Sequence, residues 1–352
     1  MKKTRIGIIG CGGISQFHML GYKQLEAEGK AELVACCDID EKKVKAFAEK
    51  HGFQRTYTDC HEMMKAEQLD CVSVCVWNSA HKDCTITALR GGANVLCEKP
   101  MALNAKEAQE MYDEAQKAGK LLQLGFVRRF GEDADTVKKL VADGTFGDIY
   151  YAKATYLRQN GCPGGWFGDR KFSGGGPLID LGVHVIDLTR YLAGCPKPVS
   201  AYGVTYANLG MHRAESEMGW HVEEGEHPYN VEDLCAAMVR FDNGLTLSIE
   251  ASFNLNIEGD VGDVQLFGTK AGTSVGQMRI LTTKDGKFVT FTPEGEHSFR
   301  FSPAFTAEII GFVDAAEGRR ECLAPAEDGV WLMKIIDAIY KSAKTGKSVA
   351  IK

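Results

Sequence analysis

The stretch Gly10-Cys11-Gly12-Gly13-Ile14-Ser15 constrains this chain more than any other. It follows the apolar run Ile6–Ile9 and leads straight into Gly13–Glu28, whose apolar residues recur with helical spacing. A strand that turns through glycines into a helix is the phosphate-binding turn of a βαβ unit. Gly10 permits the tight turn, and Gly12 lets a pyrophosphate approach the backbone. The N–H groups at the helix start, from Gly13 and Ile14 on, face that anion with positive partial charge. Ser15 replaces the third glycine of the pattern and is small enough to keep helix and strand close. The next apolar run, Leu33–Cys37, ends at Asp38, 28 residues beyond Gly10. A carboxylate there accepts hydrogen bonds from the adenosine ribose and repels a 2′-phosphate, which favours NAD over NADP. Lys42 and Lys43 leave NADP as the lesser alternative. A structural glycine turn beside a loop aspartate is the plain alternative to both.

Alternation continues through the first third of the chain. Strands are expected at Thr4–Gly10, Leu33–Asp38, Cys71–Val76, Asn94–Cys97 and Leu121–Leu124. Helices are expected at Gly13–Glu28, Glu41–His51, His81–Arg90 and Asn104–Gly119, the last with Asn104 as its cap and Gly119 as its stop. Such alternation predicts an α/β fold with a doubly wound parallel sheet, a Rossmann domain, over residues 1–125. After Gly125 the pattern changes. Helices are expected at Ala134–Ala142 and Pro177–Leu192, and residues 199–292 read mostly as strands. Leu234–Phe241 and Leu245–Phe253 flank Asp242-Asn243-Gly244, a hairpin signal. A second α/β domain with a large, mainly antiparallel open sheet is therefore expected over 126–325. Helices at Ala304–Glu317 and Ala326–Lys344 close the chain, and Asn208–Asn230, polar and aperiodic, reads as a long loop or lid.

Composition narrows the possible partners. At 352 residues, with 44% hydrophobic and 25% charged residues, the chain suits two ordinary globular domains. A net charge of −6 with no basic cluster speaks against nucleic acid, and no apolar run is long enough for a membrane span. The twelve cysteines show no CxxC and no zinc-ligand spacing, so no metal is expected. They read as reduced core thiols of a cytoplasmic protein.

Two segments carry candidate chemistry. Glu98-Lys99-Pro100 follows the strand Asn94–Cys97, at the carboxyl edge where ligands bind in open α/β sheets. A lysine held there can polarise a substrate oxygen or exchange a proton, although the tripeptide alone is a common loop sequence. The second segment is Gly174-Gly175-Gly176-Pro177-Leu178-Ile179-Asp180-Leu181-Gly182-Val183-His184. Asp180 and His184 fall i,i+4 on one helix face, where the carboxylate can orient the imidazole as an acid/base. An ordinary helix pair satisfying itself explains the same spacing.

Taken together these segments resemble the glucose–fructose oxidoreductase/inositol dehydrogenase/MocA (Gfo/Idh/MocA) family over nearly the whole chain. Asn78-x-x-His81, Gly125-Phe126-Val127-Arg128-Arg129-Phe130, Glu232-Asp233-Leu234 and Leu266–Gly272 extend the match in order. The resemblance implies hydride transfer from a secondary hydroxyl of a cyclic polyol, sugar or glycoside to nicotinamide C4. It implies that Lys99 contacts the reacting hydroxyl, that His184 is the acid/base, and that Asp180 supports it and touches substrate. The division of work between Lys99 and His184 stays open. Trp77, Asn78 and His81, with Glu98 and Lys99, would lie along the cofactor. The resemblance further implies that 326–352 returns to the first domain and that the open sheet's outer face makes a homodimer or homotetramer. Val127 departs from it, standing where many members carry Asn.

For substrate, the Gly-rich segment Tyr156–Phe172 reads as a loop. Within it Trp166 suits stacking on a sugar ring, while Tyr156, Asn160, Asp169 and Lys171 suit hydroxyls. Arg129 is a further substrate candidate or the partner of a carboxylate. An NAD-dependent glycosidase with transient oxidation and a non-catalytic NAD sensor are the rival readings.

Overall fold

The computed structural model describes residues 3–210, 227–295 and 297–352. Most of the expected loop Asn208–Asn230 therefore lies outside the described residues. The chain divides into two compact units, Met1–Phe130 with Arg300–Val330, and Gly131–Phe299 with Trp331–Lys352.

The first unit alternates strands and helices in chain order: β1 Thr4–Ile9, α1 Gly13–Ala27, β2 Ala31–Cys37, α2 Glu41–His51, β3 Arg55–Tyr57, α3 Cys60–Ala66, β4 Cys71–Val74, α4 His81–Arg90, β5 Asn94–Cys97, α5 Ala105–Ala118 and β6 Leu122–Leu124. The strands form one parallel sheet in the order β3-β2-β1-β4-β5-β6. That order reverses beside β1, which makes the carboxyl end of β1 the switch point where such sheets bind ligands. Helix ends follow the sequence closely. The Asn104 side chain accepts the Glu107 N–H at 3.0 Å, and Gly119 takes φ +60° to stop α5. Asp40 caps α2 through the Lys42 N–H.

The second unit contains α6 Glu132–Ala142, β7 Ile149–Leu157, α7 Arg170–Ser173, α8 Val183–Leu192, β8 Pro198–Tyr206, β9 Leu234–Phe241, β10 Thr246–Ser252, β11 Val261–Gly268, β12 Ala271–Ser274, β13 Arg279–Lys284 and β14 Lys287–Phe291. After these come α9 Phe301–Ala316, which belongs to the first unit, then α10 Ala326–Thr345 and β15 Val349–Ala350. The nine-stranded sheet runs β14-β13-β12-β11-β7-β10-β9-β8-β15. Only β7 and β10 pair in parallel among its described strands, so it is mainly antiparallel as expected. Alternation on β9 sends Cys235, Val239 and Phe241 inward and Met238 and Arg240 outward. The β9–β10 hairpin turns at Gly244, φ +90°.

Three expectations need correction. The substrate loop does not begin at Tyr156: that residue and Leu157 belong to β7, whose alternating Ala152 and Ala154 are buried. The helix expected over Pro177–Leu192 opens as a π-helical turn, Leu178–Gly182, before α8. Lastly, the segment that returns to the first unit is mainly α9. Its Ile309, Phe312 and Val313 join Met19, Tyr22 and Leu25 of α1 in one core cluster. At their closest approach a Cβ on Gly21 would stand 2.5 Å from the Ile309 Cβ, so glycine is required there. Only the first turn of α10 belongs to the first unit; Trp331–Lys352 belongs to the second.

Among the described residues no helix is long and apolar enough to cross a membrane. No disulfide forms among the cysteines, and ten of the twelve are buried.

Candidate active site

The candidate residues of the first unit gather at the carboxyl ends of the parallel strands. Gly10 leaves β1 with φ +95°, and a Cβ there would lie 2.3 Å from the Cys75 carbonyl oxygen. Both constraints exclude any other residue without distortion. Gly12 precedes α1, and Gly13 and Ile14 begin it, with no side-chain cap and no acidic residue in the first turn. A Cβ on Gly12 or Gly13 would meet nothing within 4 Å, so the backbone there is bare. Uncapped N–H groups on an open backbone fit a pyrophosphate. Asp38 stands at the end of β2. Its Oδ2 accepts the Cys11 N–H at 2.8 Å and its Oδ1 the Asp40 N–H at 2.9 Å. Each oxygen keeps lone-pair capacity for a ribose hydroxyl. These residues fit a dinucleotide.

Beyond β4, Trp77 is half-buried and leads into a short turn, Asn78–Ala80, with Asn78 buried. Beyond β5 comes Glu98, then half-buried Lys99 and a cis peptide to Pro100. This turn is held from inside. Glu98 Oε2 accepts the Lys99 N–H at 3.1 Å, and Glu98 Oε1 lies 2.8 Å from His18 Nε2. The His81 ring nitrogens lie 2.7 Å from the Pro100 carbonyl and 3.0 Å from that of Val76. Burial pushes the His81 pKa down, against the pull of those carbonyls.

That geometry corrects three of the expected contacts. His81 is 1% exposed with both ring nitrogens on backbone carbonyls, so it shapes the Lys99 turn and has none left for a cofactor. Glu98 is likewise buried, its carboxylate turned inward to His18 and the Lys99 N–H. Arg129 is not a substrate ligand: it is 2% exposed, its Nη1 donates to the Leu323 carbonyl and to Asp328, both at 2.8 Å, and its guanidinium sits over Phe126. The alternative of a carboxylate partner is the one realised.

The remaining candidate residues belong to the second unit. Asp180 is buried within the π-helical turn and half-buried His184 lies in the first turn of α8. A single π turn widens the helix locally and re-aims the side chains it carries. A Cβ on Gly176 would collide with the Glu232 carbonyl at 2.1 Å, so the segment can approach that close only through glycine. Tyr156, next to last in β7, is half-buried, and Asn160 bridges to Asn254. Trp166 is largely buried and stacked on Phe167 with ring centroids 4.0 Å apart. Asp169, expected to meet substrate hydroxyls, instead caps α7 through the Lys171 N–H at 3.1 Å, while Lys171 is exposed.

Four further residues bear on the site, of which only Glu232 lies in a motif named above. Ile39, directly after Asp38, is 78% exposed, an apolar platform where an adenine would sit. Its signal was an apolar residue at a strand end that faces no core. His18 and Glu308 are polar residues at apolar positions of α1 and α9, both fully buried. Glu232, also buried, accepts from Tyr340 Oη at 2.7 Å.

A six-stranded parallel sheet with a bare glycine turn on β1 and an acid on β2 defines a dinucleotide-binding domain of the Rossmann class. Residues 4–126 match the NAD-binding Rossmann fold of the Gfo/Idh/MocA oxidoreductase family, and residues 134–274 match the GFO/IDH/MocA C-terminal domain. The chain belongs to this family, and its cofactor is NAD. It is 34% identical over 349 residues to D-glucoside 3-dehydrogenase of Escherichia coli K12, covering 99% of this chain and 97% of that protein. It is 26% identical to myo-inositol 2-dehydrogenase of Thermotoga maritima, covering 99% and 98%. Levoglucosan dehydrogenase, solved with NADH, shares the fold over the full length of both chains, with a TM-score of 0.85 and 22% identity.

Proposed function

We propose that this chain oxidises a secondary ring hydroxyl of a cyclic polyol, sugar or glycoside. The observation that carries the reading is the Lys99 turn. It stands on the same carboxyl edge as the glycine turn and Asp38, and Glu98 and His81 hold it from behind. Likeness to dehydrogenases of a glucoside and of an inositol supports a ring hydroxyl as the reacting group.

NAD supplies the hydride acceptor at nicotinamide C4. Gly10, Gly12, Gly13 and Ile14 would hold its pyrophosphate, Asp38 the ribose hydroxyls and Ile39 the adenine, while Trp77 and Asn78 would face the nicotinamide half. Lys99 donates a hydrogen bond to the substrate oxygen and stabilises the negative charge that grows there. His184 accepts the hydroxyl proton, with Asp180 favouring the imidazolium that results. Tyr156, Asn160 and Trp166 contact the sugar ring.

The test is turnover by Lys99→Ala and His184→Ala on a substrate the wild type oxidises. Each is expected to lower kcat by about 100- to 10,000-fold with NAD still bound. Full turnover by either variant removes that residue from the mechanism. We further propose a homodimer or homotetramer through the outer sheet face, where the cross-strand neighbours Tyr202 and Met238 are both about half exposed. Analytical ultracentrifugation of Met238→Glu against wild type checks this, the variant being expected to dissociate.

A further inference from the structure

The Lys99 turn rests on a buried charge problem. His18, Glu98 and Glu308 are all buried, and a ligating atom from each lies within 4.8 Å of the others. His18 Nε2 meets Glu98 at 2.8 Å, and its Nδ1 lies 3.0 Å from Ser73 Oγ, which meets Tyr22 Oη at 2.7 Å. Glu98 also accepts the Lys99 N–H. Glu308 is different: it is 0% exposed and neither carboxyl oxygen has a hydrogen-bond partner.

Two ionised carboxylates this close, out of water, repel strongly and lack the solvation that ionisation needs. The titratable neighbours acting on Glu308 are Glu98, Tyr22, Cys75 and His18, none of them a permanent cation. Charge balance then requires either a proton or a bound metal ion. A metal ion would have to displace the His18 Nε2–H from Glu98 and shed its water for three ligands. A proton needs only an oxygen to sit on, and Glu308 has two with no other use. Burial and the nearby Glu98 push the Glu308 carboxyl well above the usual carboxylate range, which agrees.

We propose that Glu308 is a neutral carboxylic acid whose O–H is directed at the Glu98 carboxylate, and that it is a positioning residue for the Lys99 turn. With that donor, Glu98 is held by His18, the Lys99 N–H and Glu308 together. A helix returning from the far end of the chain thus sets the turn that carries the reacting lysine. The positioning half of this inference rests on the role proposed above for Lys99.

The experiment is an infrared difference spectrum of the full-length protein at neutral pH, wild type minus Glu308→Gln, with elemental analysis of both. A protonated carboxylic acid carbonyl band present in wild type and absent in the variant is the expected result. Carboxylate bands alone, or a stoichiometric divalent metal lost in the variant, overturns the inference. In turnover, Glu308→Gln, which keeps a donor, is expected within about two-fold of wild-type kcat, while Glu308→Leu falls about ten-fold with KM for NAD little changed. Equal activity of the two overturns the positioning role. The two readings separate cleanly. If Lys99→Ala keeps full turnover while the carboxylic acid band is present, the mechanism fails and the buried proton stands. If Lys99→Ala is inactive and the band is missing, the buried proton fails alone.

Discussion

Glu232 of the second unit and Glu308 of the first are both buried, and they are handled in opposite ways. Glu232 in the second unit is met by the Tyr340 hydroxyl at 2.7 Å, and at 3.4 Å by both the Leu178 N–H and Arg170. It staples the start of the π-helical turn to α10. Glu308 in the first unit has no such partner. Burial raises the carboxyl pKa of both, yet only Glu232 has donors that pull it back. A buried acid with donors is a structural tie, whereas one without them must carry a proton. The same contrast runs through the candidate residues of the two units. In the first unit the backbone does most of the positioning: a glycine with φ +95°, bare N–H groups, and an aspartate pinned by two N–H donors. In the second, side chains do it, on a π turn, a strand end and a loop.

Replacing each glutamate by leucine tests that contrast at its largest. Glu232→Leu strands a tyrosine hydroxyl, an N–H and an arginine, and is expected to cost about 3–5 kcal/mol in urea unfolding. Glu308→Leu leaves Glu98 its other two donors, His18 and the Lys99 N–H, and is expected to cost less than about 1.5 kcal/mol. Equal losses would erase the distinction. Gly10→Ala probes the backbone-built half, where positive φ and the Cys75 carbonyl both oppose a side chain; a loss of about 2–3 kcal/mol together with NAD binding is expected. A smaller effect is expected of Asp38→Ser, which should shift kcat/KM toward NADP by about ten-fold, or about 1.4 kcal/mol. An unchanged NAD/NADP ratio would leave Asp38 as a tie for the Cys11 and Asp40 N–H groups only.

The pH dependence of stability offers a finer test. The folded-state pKa of Glu308 lies above its unfolded value. Its stabilising contribution is therefore full below about pH 4.3 and is lost as pH rises through the raised value. Glu308→Gln cannot titrate, so the stability of wild type relative to this variant should fall over that window. A constant difference would mean that Glu308 titrates alike in both states.

Much of the first unit was legible because its signals are local. A glycine turn between strand and helix, an Asn cap, a glycine stop and an acid at a strand end all act over a few residues. The short β3 and α3 escaped because three strand residues and seven helical ones carry too little periodicity. In the second unit β7 was passed over whole, its alternation being read neither as strand nor as helix and its last residues, Tyr156 and Leu157, being taken with the glycine-rich stretch that follows. The π turn was invisible because Asp180 and His184 are spaced alike in an ordinary helix. Polar residues were the hardest to place. Arg129, His81 and Glu98 are chemically fit to bind ligands, but their directions are set by Leu323 and Asp328, by Pro100, and by His18 respectively. Three of those partners lie about 80 or more residues away in the chain, beyond any local pattern. Glu308 is further still from Glu98, so the residue that completes the turn could be found only in the folded chain.

The proposed net hydride transfer from a ring hydroxyl to NAD is read directly by NADH absorbance. Purified full-length protein is incubated with NAD and a panel of inositols, sugars and glycosides, with free sugar and ketone products assayed in parallel. NADH is expected to accumulate in step with a ketone from at least one of them. Free sugar released from a glycoside with no NADH, or tight NAD binding with no turnover across the panel, would contradict it.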